Sequence, residues 1–136
     1  MSYALDIAEL FRAALAVAFP TTYVACDLDD NTKTLPAVVV KATDEPLTTS
    51  GTGFHFTVEI HVESSADIAG AKEAHTELTR DVREALHGAG KAALLAAVNA
   101  DGAFDIRGWH IVAGSPGIEG HHFRAVVSLR GCGIAL

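Results

Sequence analysis

Residues 54–62 alternate strictly. Phe54, Phe56, Val58, Ile60 and Val62 project to one side, and His55, Thr57, Glu59 and His61 to the other. Strand side chains have period two, so the segment predicts a strand with one buried and one polar face. Residues 3–18 instead carry Ile7, Phe11, Ala14, Leu15 and Ala18 at helical spacing, with Asp6, Glu9 and Arg12 on the wetter side. Pro20 restricts Phe19 and is expected to end that helix there. A short strand is predicted over 23–26 and a polar turn segment over 27–34. A second strand follows over 35–42, its valines 38–40 apolar on both sides. Residues 44–53 read as a loop rich in turn formers.

Ser64 followed by Asp67 has the spacing of a capping box and predicts a helix over 65–87. Ile68, Ala71, His75, Leu78, Val82 and Ala85 recur within it at three- and four-residue steps, and Gly88 stands at its C-terminal cap. An alanine-rich helical piece over 91–100 comes next. Strands over 104–113 and 120–131, joined by Ser115-Pro-Gly117, close the chain. The order is α-β-β-β-α-(α)-β-β. Short connections favour a mostly antiparallel sheet of four to five strands with helices packed on one face. That is an α+β fold, expected as a single domain over 1–136.

Composition narrows the function classes. The 136 residues are 49% hydrophobic, enough for a folded core. The formal net charge of −7 gives no basic stripe of the kind a sequence-reading nucleic-acid binder needs. Asp6, Glu9 and Arg12 interrupt the apolar N-terminal stretch, so neither a signal peptide nor a membrane span is expected, and folding in a cytoplasm is. Cys26 and Cys132 are far apart, with no metal-ligand spacing around either, and read as reduced thiols.

No motif specifies a reaction. His55 and His61 are six residues apart, about 20 Å along a strand, and cannot share one ion. The adjacent His121 and His122 point to opposite faces of a strand, so no metal is expected. Gly88-Ala-Gly-Lys91 lacks the full phosphate-loop pattern and follows a helix instead of a strand. Ser115 lies before Pro116, outside any nucleophile elbow. Glu59 and Glu63 read as a solvated face and not as an acid–base pair. No cofactor and no catalytic residue are expected. The polar strand face carrying His55, Glu59, His61, Glu63, Arg124, Ser128 and Arg130 must meet water or another subunit. Its mixed charge permits pairing between copies.

The whole order resembles the tail terminator (tail completion) proteins of long-tailed bacteriophages, the minor tail protein U class. Residues 35–40, 57–63, 71–86 and 123–129 carry the resemblance, as a similarity of pattern without a diagnostic residue set. The helical piece over 91–100 looks like an insertion relative to that pattern. The resemblance implies a non-enzymatic structural protein of the virion tail or neck, made in the host cytoplasm. It would form a homo-oligomeric ring, typically hexameric, on the head-proximal end of the tail tube. There it would end polymerisation of the tube protein and meet the head–tail connector. DNA would pass through without sequence-specific binding, repelled by an acidic lumen, and no membrane would be involved. Glu59, Glu63, Arg124 and Arg130 are the candidates for a subunit interface or the lumen. The alternatives are another phage neck or head-completion component, or a small His-rich enzyme or ligand-binding domain.

Overall fold

A computed structural model of the chain describes residues 3–26, 35–46, 53–65, 69–119 and 122–136. They form three helices, α1 (Ala4–Ala18), α2 (Ala71–His87) and α3 (Lys91–Val98). Five strands, β1 (Tyr23–Cys26), β2 (Ala37–Pro46), β3 (Gly53–Ser65), β4 (Phe104–Glu119) and β5 (His122–Ala135), make one sheet in the order β1-β2-β3-β5-β4. The fold is α+β, in the order the sequence predicts. All pairings are antiparallel except β1 with β2, which runs parallel from Tyr23 opposite Ala37 to Cys26 opposite Val40.

The alternation in β3 decides where the core lies. Phe54, Phe56, Val58, Ile60 and Val62 are all buried beneath the helices. Ile7, Phe11 and Leu15 of α1 are fully buried against them, as the helical spacing requires. Phe11 meets Phe56 at 6.0 Å and the edge of Trp109 at 5.1 Å, while Tyr3 packs on Phe54 and Phe104. Trp109 also donates its indole Nε1–H to the Leu86 carbonyl at 2.7 Å, fixing the end of α2 to β4. Asn99 pins α3 to the same strand, accepting from the Ile106 amide at 2.8 Å and donating to its carbonyl at 3.1 Å.

Several boundaries differ from those the sequence predicts, beginning with β2, which pairs with β3 through Pro46 where a loop is expected from residue 44. Helix α2 starts at Ala71, not at residue 65; its N-cap is Gly70, in the left-handed region (φ 77°), and no side chain caps it. Ser64 belongs to β3, continuing its period-two pattern on the helix-facing side, so it is not a cap. Ser115-Pro-Gly117 is strand, not turn, with Pro116 opposite Ala125. Because β4 is an edge strand, Pro116 can lack a donor there without breaking a central ladder. Finally, β5 continues through Gly131 and Gly133 to Ala135. A Cβ at Gly131 would collide with the Gly108 carbonyl oxygen and the Phe56 ring, and one at Gly133 with Ile106 and Phe54. The glycines therefore make room for aromatic rings from β3, not for a chain reversal. The predicted turn at 27–34, most of the loop expected over 44–53, and Asp67, Ile68 and His121 lie outside the described residues.

Candidate functional site

The strand registers bring the four predicted surface residues onto one face. Glu63 lies opposite Arg124, Glu59 opposite Ser128, and Thr57 opposite Arg130, all on the side of the sheet away from the helices. Lys41 of β2 flanks Glu59, and His110 of β4 flanks Arg130. Period two on β3 and β5 thus places Glu59, Glu63, Arg124 and Arg130 along a single two-strand ladder.

Along its length this face is uneven. Glu59 and Arg130 are exposed, but His61 is only 5% exposed and Glu63 9%. Ala37 and Val39 of β2, opposite Glu63 and His61, are buried as well. A uniformly wetted polar face is therefore not what the strands build: one end is open and the other closed.

A hydrogen-bonded chain links the two ends. Arg124 donates to His61 Nδ1 from Nη2 at 2.7 Å and from Nε at 3.3 Å. A guanidinium has no acceptor, so Nδ1 must be the accepting nitrogen and the imidazole proton sits on Nε2. That proton is donated to Glu59 Oε1 at 3.0 Å. Neutral His61 thereby spaces a buried-side guanidinium from an exposed carboxylate and aims both. The chain orients charge at a surface.

Beside the open end, Arg130, Arg107, His55, His110 and Cys132 line a hollow of about 470 Å³. Cys132 faces His55 directly across the β3–β5 pair. Sequence neighbours alone did not reveal this electropositive setting, since Arg107 and His110 arrive from β4. Arg107 is held by Asp105 at 3.0 Å. No group of three His, Cys, Asp or Glu able to hold a metal ion forms among the described residues.

The Gly88–Lys91 stretch builds a helix junction. The Gly88 N–H caps α2 on the Glu84 carbonyl at 2.9 Å. Lys91 donates to the Trp109 carbonyl at 2.7 Å, with its ammonium 5.8 Å from the Trp109 ring centre.

One pair escaped sequence reasoning. His75 Nδ1 lies 2.9 Å from Ser64 Oγ, and its ring stacks on Phe123 at 5.5 Å. Burial holds the His75 ring below the usual imidazole value. Extending the alternation of β3 by two residues would have placed Ser64 under the helix and within reach of His75. Both residues are under a tenth exposed, so the pair reads as a satisfied core contact joining α2 to β3.

Among known proteins, no family model matches the chain, and no curated protein matches it in sequence. Among the described residues, no helix is long and apolar enough to cross a membrane.

Proposed function

We propose that the protein is a non-enzymatic structural component of a phage virion, a ring that caps the head-proximal end of the tail tube. The ring would end polymerisation of the tube and present a surface to the head–tail connector. The observation that carries this is a sheet with helices on one side only, whose other side ends in an ordered charged chain, Glu59–His61–Arg124, next to exposed Arg130. A sheet face left without a helical layer meets water or a partner. Fixed charges of both signs suit a partner built from the same surface chemistry. Glu59, Glu63, Arg124 and Arg130 keep their roles as interface or lumen candidates, with Glu59 and Arg130 reaching outward and Glu63 and Arg124 holding the face in shape. The net charge of −7 suits a lumen through which DNA slides without adhering. Another neck or head-completion ring would use the same surface.

Native mass spectrometry across micromolar concentrations tests this reading. A single closed oligomer, hexameric in the simplest case, is the expected species. A monomer at every concentration would remove the ring, and with it the capping role.

A further inference from the structure

Helix α2 sorts its charges between its two flanks. Thr76, Arg80, Arg83 and His87 lie at three- and four-residue steps along the flank facing β4 and β5, where they line a groove of about 790 Å³. Ile111 and Ala125 contribute apolar lining, and Glu84 is the acidic group at its side. On the opposite flank Glu77 and Asp81 border a second hollow, of about 400 Å³, beside Phe19 and Pro36. Arg83 and His87 have no ion-pair partner among the described residues, and Arg80 reaches Glu77 and Asp81 only at 3.8 Å. Within a chain of net charge −7, the groove is a local cationic site with unspent capacity.

We propose that this groove receives the acidic flank of α2 from a second copy of the chain, so that copies join head to tail through opposite sides of one helix. Copies of net charge −7 repel one another, and attachment therefore needs a local region of opposite sign. Opposite charges meet whenever a basic flank faces an acidic one, reciprocally about a two-fold axis or head to tail, and the ring reading selects the head-to-tail form. A groove meeting a different surface of the next copy is a heterologous contact, and such contacts close into rings when the rotation allows. The inference rests on the ring reading and locates its seam. It leaves the uncovered sheet face, with Glu59 and Arg130, to the lumen or the tube.

Sedimentation velocity on the full chain and two exposed-site variants, Arg83→Glu and Asp81→Lys, provides the test, with far-UV circular dichroism confirming the fold. Each variant alone is expected to assemble at least roughly tenfold more weakly than wild type, the scale of like-charge juxtaposition at an interface. Mixed in equal amounts, they alternate a native groove–flank pair with an exchanged one and are expected to recover assembly that neither shows alone. The chain carrying both reversals should recover assembly, because the exchanged charges again attract. Should either reversal unfold the chain, Arg83→Gln and Asp81→Asn replace it, with a smaller weakening in the same direction expected. Wild-type assembly unaffected by these changes would overturn the α2 seam while leaving the ring standing. A mixture that behaves as the separate variants would overturn it too. A wild-type chain that stays monomeric throughout would overturn both.

Discussion

His75 is held neutral by its surroundings, and this has a consequence for stability. Its folded-state pKa lies below the ordinary imidazole value, because burial penalises the charged ring. As pH falls through about 6.5, the unfolded chain takes up a proton that the folded chain resists. This contribution to stability is therefore complete above that pH and is lost as pH falls below it. Urea titrations between pH 5 and 8 should show midpoints falling on the acidic side, and His75→Gln should flatten that fall. An identical pH slope in the variant would contradict the assignment. Arg124 is the second decisive residue. Arg124→Ala leaves buried His61 without its donors and should cost about 1–2 kcal/mol, read by the same titrations. Glu59→Gln, at a half-exposed position, should cost under about 1 kcal/mol. The parity of these residues was legible in the sequence, since period two put Glu59, Glu63, Arg124 and Arg130 on one face. Their unequal burial was not, because it depends on Ala37 and Val39 arriving from another strand.

At the scale of the elements, β3 declares itself because alternation is a local property and continues from Phe54 to Ser64. Helix α2 declares its body through His75 and Val82 but not its start. Gly70 in the left-handed region sets the first turn, whereas Ser64 looked like a cap only because a strand-end serine and a capping serine share one sequence signature. Pro116 misled for a related reason: proline marks turns and edge strands alike, and being an edge is a property of the whole sheet. The parallel pairing of β1 with β2 was equally invisible, since no local pattern records strand direction. Gly131 and Gly133 carry the opposite lesson, ending nothing and accommodating Phe56 and Phe54 from the neighbouring strand. Gly131→Ala should therefore destabilise the fold by about 1–3 kcal/mol, through overpacking against the Gly108 carbonyl and the Phe56 ring. Chemical denaturation measures this directly, and a neutral effect would mean that β4 and β5 separate easily.

Taken as a whole, the molecule is asymmetric in two directions. Across the sheet, helices cover one face and an ordered charged chain occupies the other. Along the helix layer, α2 offers a cationic groove on one flank and carboxylates on the other. A protein with such directions built in is suited to occupy a fixed orientation among copies of itself, with one face inward and its sides paired to neighbours. The central claim is that these directions serve a ring on the end of a tube. Negative-stain electron microscopy of the purified protein, alone and mixed with phage tail tubes, tests this most directly. The account predicts rings of uniform diameter in the first sample and a cap at one end only of each tube in the second. Featureless monomers in the first, with bare tube ends in the second, would contradict it.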